Sequence, residues 1–257
     1  MSRPDLHPVL RFVRRRLERG VPYGLGFTVA FGAVALAVWG FVGVLDAVTE
    51  GDDVARFDAV AHGLIYDALG GSPGLGLAVT WFGNNATLIG FVVVVAAVLV
   101  IAKRYWAAFR VVFASGVGGL VITGLKVLFA RQRPEAQVIE ATGYSFPSGH
   151  AFASTVFYGM MVYLVWRLTK NTGARVLAAV VGPLVVILVG LSRVYLNVHF
   201  LTDVLAGWLA GGAWLVASLL LIDVVETRYR SRTERVEEQG RPDDADPQPH
   251  GTAAEAG

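Results

Sequence analysis

The sequence predicts an all-α protein, a bundle of six transmembrane helices. Three observations predict it. Of the 257 residues, 54% are hydrophobic and only 16% are charged. An ordinary soluble domain carries about 25% charged residues. The mean hydropathy is +0.56. Six stretches are long and apolar enough to cross a hydrocarbon core of about 30 Å, which takes roughly 20 helical residues. Finally, lysine and arginine alternate between dense and sparse along the chain in step with those stretches. The same figures exclude collagen, a coiled coil and a disordered body. The chain has no cysteine, which rules out disulfides, iron–sulfur clusters and thiolate zinc sites. A net charge of +2 names no acidic partner.

The first span is expected at about 22–46. Its apolar run is too long for the core of a cleavable signal peptide, and more spans follow. After it, Phe57, Val60, Ala61, Leu64 and Ile65 recur at helical spacing, with Arg56, Asp58, His62 and Asp67 on other faces. An interfacial helix is expected there, packing its apolar stripe on the bundle or, as the alternative, bordering a lipid entrance. His62 reads as a packing histidine and not as a ligand. The second span, 73–102, is interrupted by Gly83-Asn84-Asn85, so its start reads as a short separate helix. Asn84 and Asn85 are suited either to cap a helix or to line an entrance. Spans three to six are expected at 107–128, 151–168, 176–196 and 200–223. Gly26 and Ala30 on span one, and Gly207 and Gly211 on span six, are small-residue pairs suited to close helix packing.

The domain expectation is a basic segment at 1–20, a membrane domain at 21–225, and a disordered tail at 226–257. The tail is charged, then rich in Pro, Gly, Ala and Asp, and too polar to bury a core. With a cytoplasmic N-terminus, most lysines and arginines fall on the inner side. They cluster at residues 3–19, 103–110, 167–175 and 228–241. Both termini are therefore expected inside. Arg56, Lys126, Arg131, Arg133 and Arg193 run against this bias and call for another explanation.

Three polar clusters sit at membrane depth. Lys126 and Arg133 are seven residues apart, which returns to within about 20° of one helical face if the helix persists to Pro134. Pro147-Ser148-Gly149-His150 stands just before span four. Ser148 is suited to cap that helix, and the Gly149 and His150 amides make an anion-binding N-terminus. Ser192-Arg193 and His199 through Asp203 bridge spans five and six, with His199 and Asp203 at i, i+4 spacing. A carboxylate there fixes the imidazole tautomer. Counting spans puts all three clusters on the same, outer, side. Cations, two histidines, a carboxylate, a hydroxyl and free amides describe a phosphoryl-transfer pocket, where catalysis is mostly positioning and charge stabilisation. One histidine attacks phosphorus and the other protonates the leaving oxygen. Intramembrane ionisable residues are functional by default.

On these residues the chain resembles the type 2 phosphatidic acid phosphatase (PAP2) superfamily, whose signature is K-x6-RP, PSGH and SR-x5-H-x3-D. All three parts are matched in order, by Lys126/Arg133/Pro134, Pro147 to His150, and Ser192/Arg193/His199/Asp203. The resemblance covers about residues 20–225. It implies a metal-independent phosphatase with a phosphohistidine intermediate and no cofactor. It implies His199 as nucleophile, Asp203 as its orienting group, and His150 as general acid and then base. It implies that Lys126, Arg133, Ser148, Gly149 and Arg193 bind phosphate. One departure is Leu201, where many relatives have proline. The soluble vanadium haloperoxidases share this pocket, but six spans speak against that branch.

A pocket at the outer interface fits a phosphorylated lipid whose tail stays among membrane lipids. Within the family it resembles, a compact six-span form implies undecaprenyl pyrophosphate, phosphatidic acid or phosphatidylglycerol phosphate as substrate, and no nucleic-acid partner is expected. The expected location is the plasma (inner) membrane, with the site facing outside or the periplasm. A lipid-linked phosphotransferase would use the same pocket. A transporter would place its polar residues near the midplane instead. Oligomeric state is left open.

Overall fold

The computed structural model describes residues 25–70 and 72–239. The basic segment expected at 1–20 lies outside them. Among the described residues there is no strand. Eight α-helices follow in order: α1 Leu25–Glu50, α2 Asp52–Ala68, α3 Pro73–Thr80, α4 Asn85–Ile101, α5 Tyr105–Phe129, α6 Gly149–Leu168, α7 Thr172–Tyr195 and α8 Leu201–Gln239. A 3-10 turn, Trp81–Gly83, joins α3 to α4.

Five helices are long and apolar enough to cross a membrane: α1, α5, α6, α7 and the Leu201–Glu234 part of α8. The pair Pro73–Gly83 and Asn85–Ile101 meets the same requirement only when taken together and is bent by 41°, which makes it either a broken sixth span or a re-entrant loop. The break falls at Gly83-Asn84-Asn85, as the sequence pattern anticipates. Asn84 accepts a hydrogen bond from the Ala86 N–H at 2.9 Å and so caps α4. Asn85 lines a cavity described below. The two functions expected as alternatives are thus divided between neighbours.

The core forms around α6. Phe152, Val156, Met160 and Leu164 pack with Leu99 of α4 and with Ala107, Ala108, Val111, Ala114 and Ile122 of α5. Trp214 of α8 closes the cluster and donates from its indole to the Ala114 carbonyl at 2.8 Å. Gly207 brings α8 against the start of α6. A Cβ there would lie 2.6 Å from the Ser148 carbonyl and 2.9 Å from the Ala151 Cβ, so only a glycine permits this approach. Gly211 makes the next contact one turn on, against the Phe152 carbonyl. The span-six pair therefore packs as its spacing anticipates. The span-one pair does not: nothing stands within 4 Å of a Cβ at Gly26.

Helix α2 corrects a sequence expectation. Its apolar stripe was expected to pack on the bundle, yet Phe57, Val60 and Leu64 are exposed. The inward positions are Asp58, which is 1% exposed, His62 and Ile65. His62 Nδ1 meets the Val194 carbonyl at 2.9 Å, and its ring packs on Tyr66. Ile65 packs on both small clusters around Val194 and Tyr195. At a membrane interface the surroundings outside the protein are themselves apolar. Phe57, Val60 and Leu64 face outward for that reason, while Ile65 of the same stripe and the polar Asp58 and His62 find partners inside.

Helix α8 runs on to Gln239, past residue 225, where the sequence pattern expects order to end. Among the described residues, 221–239 belong to a separate unit. Within it Arg230 donates to Glu226 one turn away at 2.6 Å, a pairing that supports an exposed helix. Residues 240–257 of the expected tail lie outside the described residues.

Candidate active site

The three clusters meet at one end of α5, α6, α7 and α8. Helix α5 carries Lys126 in its last turn. It stops at Phe129, because Ala130 adopts the left-handed conformation (φ 46°, ψ 30°) and its N–H bonds the Lys126 carbonyl at 3.0 Å. The helix thus ends close to the expected end at 128, and the condition for a shared helical face, a helix that persists to Arg133, is not met. Arg133 reaches the site from the loop and not from a shared helical face. That loop is pinned at both ends. Ser145 N–H donates to the Arg131 carbonyl at 2.8 Å, and Val138 N–H donates to the Leu196 carbonyl at 3.1 Å.

The loop backbone orients both cations. Lys126 Nζ donates to the Tyr144 carbonyl at 2.6 Å and the Ser145 carbonyl at 3.3 Å. Arg133 donates to the carbonyls of Thr142 (3.1 Å), Gly143 (2.9 Å) and Val198 (2.7 Å). The same guanidinium lies 3.3 Å from His199 Nε2. Burial pulls the Arg133 pKa below its ordinary value, and Asp203 opposes that shift.

His199 precedes α8 and does not sit on it. It meets Asp203 because the chain turns into the helix there. Asp203 Oδ2 accepts the Phe200 N–H at 3.0 Å, in the manner of a first-turn carboxylate, and lies 3.3 Å from His199 Nδ1. The spacing thus brought the pair together by a different local geometry. Asp203 is fully buried and His199 is 2% exposed. Burial pushes the His199 pKa down to about 4, although its hydrogen bond to Asp203 raises it. The imidazole is therefore neutral near pH 7. With Nδ1–H given to the carboxylate, Nε2 presents its lone pair toward Arg133, whose NH1 lies 3.3 Å away.

The PSGH turn closes the pocket. Ser148 N–H donates to the Asp203 carbonyl at 2.9 Å, which ties the start of α6 to the first turn of α8. Ser148 holds the N-cap position of α6, but its side chain makes no cap hydrogen bond, contrary to the sequence expectation. Its Oγ is buried without a partner. A buried hydroxyl in that state is costly unless a ligand completes it. A Cβ at Gly149 would stand 3.5 Å from Lys126 Cε, so the ammonium lies over the helix N-terminus. His150 lies within electrostatic reach of Arg193, His199, Arg133 and Lys126. Arg193 is 4% exposed and donates to Thr80 Oγ1 at 2.7 Å, while its Nε has no partner. Ser192 turns away from the site and donates to the Val189 carbonyl at 2.7 Å.

Every residue expected in the pocket is thus at this end of the bundle. Four residues at its edge were missed as site residues: Thr80, which holds Arg193, and Asp58, Arg131 and Thr202, which surround Asp203. Arg131 donates to Asp203 Oδ1 at 2.6 Å. One signal pointed to it, its place among the cations that oppose the charge bias.

An apolar cavity of about 490 Å³ runs from this site between α4, α5 and α6. Lys126 and Gly149 stand among its lining residues with Leu88, Ile89, Val112, Ile122, Phe152 and Val156. The site and the apolar groove are therefore continuous.

The chain is 31% identical over 135 residues to phosphatidylglycerophosphatase B of Bacillus subtilis, a match that covers 52% of this chain and 66% of that protein. It is 37% identical over 95 residues to an undecaprenyl-diphosphatase of Sulfolobus acidocaldarius, covering 37% of this chain and 40% of the relative. The crystal structure of a transmembrane PAP2-type phosphatidylglycerolphosphate phosphatase from Bacillus subtilis superposes with a TM-score of 0.64 at 26% identity, over 75% of this chain and 96% of the other. Residues 107–225, which carry all three clusters, match the PAP2 superfamily. With the same signature residues gathered at one end of the same kind of helical bundle, the chain belongs to the PAP2 superfamily.

Proposed function

We propose that this chain, a phosphatase of the PAP2 type, hydrolyses a phosphate or pyrophosphate carried by a membrane lipid, through a phosphohistidine intermediate. One observation carries the proposal. The buried His199 imidazole lies within electrostatic reach of Lys126 and Arg133, with buried Arg193 and an unpartnered serine hydroxyl at the same end of the bundle, beside an apolar groove that Lys126 and Gly149 help to line.

The steps are those the family resemblance implies, and the placement of these residues supports them. Lys126, Arg133, Arg193, the Ser148 hydroxyl and the Gly149 amide take the non-bridging oxygens of the phosphate. His199 Nε2 attacks phosphorus in line, and Asp203 stabilises the imidazolium as it forms. His150, protonated, gives its proton to the leaving lipid alcohol or lipid phosphate. It then removes a proton from water, which attacks the phosphohistidine and returns His199 to its neutral state. The positive charge that this transfer requires comes from side chains, so EDTA is expected to leave the rate unchanged. Full dependence on an added metal would contradict the scheme.

The continuous groove supports a substrate whose tail lies in the bilayer. The names of the relatives support phosphatidylglycerol phosphate and undecaprenyl pyrophosphate, with phosphatidic acid as a further candidate. The charge asymmetry supports both termini inside and the site on the outer or periplasmic side of the plasma membrane. The testing experiment measures phosphate release by the purified protein from these three lipids and from short-tailed soluble analogues. Release is expected from at least one long-tailed lipid and to fall steeply with tail length. Equal rates on the soluble analogues would remove the lipid assignment. Transfer of the phosphoryl group to an added alcohol in place of water would mark a phosphotransferase.

A further inference from the structure

We infer that Asp58 and Arg131 form a positioning relay, in which interfacial helix α2 sets the orientation of Asp203 and, through it, of the His199 imidazole. The inference rests on the catalytic role proposed above for His199. Neither residue belongs to the three-part signature.

The contacts form an unbroken chain. Asp58 is 1% exposed on the inward face of α2. Its Oδ1 accepts the Thr202 N–H at 2.9 Å, and its Oδ2 accepts the Thr202 hydroxyl at 2.7 Å. A carboxylate from a distant helix thereby caps the first turn of α8, a position where orphan N–H groups and the helix dipole favour negative charge. Arg131 NH2 lies 3.2 Å from Asp58 Oδ2, and its NH1 donates to Asp203 Oδ1 at 2.6 Å and to Thr202 Oγ1 at 2.8 Å. Its guanidinium lies over the Phe200 ring, 4.2 Å from the centroid.

The division of oxygens on Asp203 gives the relay its meaning. Oδ2 serves Phe200 N–H and His199 Nδ1, while Oδ1 serves Arg131. A carboxylate held at one oxygen alone can rotate; held at both it cannot. Arg131 fixes the second oxygen, and Asp58, paired with the same guanidinium, fixes Arg131. His62 and Ile65, one and two turns after Asp58, keep α2 in register. With Asp203 locked, Nδ1 keeps its proton and Nε2 points at the substrate. Losing one charge-assisted bond in such a network corresponds to about a 10- to 100-fold change in a rate that depends on it.

The experiment uses the full chain, purified in detergent, with [15N]imidazole-labelled histidine. The His199 signal is assigned by its loss in His199→Ala. The wild type is expected to show one Nδ1–H tautomer for His199, and Asp58→Asn a mixture of tautomers. On undecaprenyl pyrophosphate in mixed micelles, Asp58→Asn is expected to lose about 10- to 100-fold in kcat with KM within about twofold. Asp58→Glu and Arg131→Lys are expected to recover part of both readouts, and they carry the test if Asp58→Asn does not fold. Asp53→Asn, exposed on the same helix, is the control and should match the wild type. The relay is overturned if the foldable variants keep the wild-type His199 tautomer, or if only their stability changes. The NMR readout needs no substrate. An inactive wild type with a shifted His199 signal in the variants would therefore reject the proposed activity and leave the relay standing.

Discussion

Helices α1 and α6 are both apolar enough to cross a membrane, and they end in opposite places. Helix α1 is the more apolar of the two and has no buried residue. Helix α6 carries more polar residues and buries Ala151, Phe152, Ser154, Val156, Phe157, Met160 and Leu164. In water the order would be reversed, since burial there is driven by apolar surface. In a bilayer the surrounding lipid is already as apolar as leucine, so hydrophobicity does not draw a helix inward. Helix association depends on close packing, small residues and hydrogen bonds. Helix α6 has these at its first turn, where Ser148 bonds Asp203 and Gly207 admits the α8 backbone. That same turn carries Gly149 and His150. The site therefore lies where the helices are most tightly held, and α1 is free to serve as a lipid-facing flank that touches the core through Phe41 on Phe129 and Phe146.

This contrast is open to attack in several ways. The largest expected effect is at the first turn of α6. His150→Ala should lower kcat by roughly a thousandfold or more, measured as phosphate release. Next comes the packing that holds that turn. Gly207→Ala places a methyl 2.6 Å from the Ser148 carbonyl, and forcing an extra carbon into such a contact costs about 1–3 kcal/mol. It should lower both Tm and kcat, whereas Gly26→Ala on α1 should change neither. A wild-type rate for Gly207→Ala would show that the α6–α8 approach does not position the site.

A smaller effect is expected from pH. The buried His199 imidazole, with its pKa near 4, is neutral above that value and protonated below it. The nucleophile is therefore lost only as pH falls through about 4. The acid limb of kcat/KM due to His199 should lie below the 6.5 of an ordinary histidine, and it moves upward if burial is relieved. The smallest effect belongs to α1. Leu36 is 66% exposed, and Leu36→Ala should leave kcat within about twofold. A large loss there would mean that α1 supports the site directly.

Much of this molecule was legible in its residues, for reasons the two helices make plain. A span must be about 20 apolar residues long, and that requirement fixes element positions in any sequence. The three clusters were legible because charged groups at membrane depth have few other uses. Local geometry was harder. Ala130 terminates α5 in a left-handed conformation that no glycine or asparagine announces, so the sequence leaves open whether Arg133 stands on the helix or on the loop, and it stands on the loop. The facing of α2 was inverted because periodicity finds an apolar stripe but does not say which medium receives it. Asp58 and Arg131 lie 73 residues apart in sequence, and nothing local marks them as partners. Past residue 225 the composition is polar enough to read as disorder, yet pairs such as Glu226 and Arg230 support a continued helix.

The central claim is that His199 carries the phosphoryl group during turnover. The most direct measurement is alkaline quenching of the enzyme during hydrolysis of a lipid labelled in its terminal phosphate, followed by mapping of the label on the protein. The account predicts label on the peptide that contains His199, appearing and decaying at rates compatible with turnover and absent from His199→Ala. Continued turnover with no label on His199, or with label on another side chain, would contradict it.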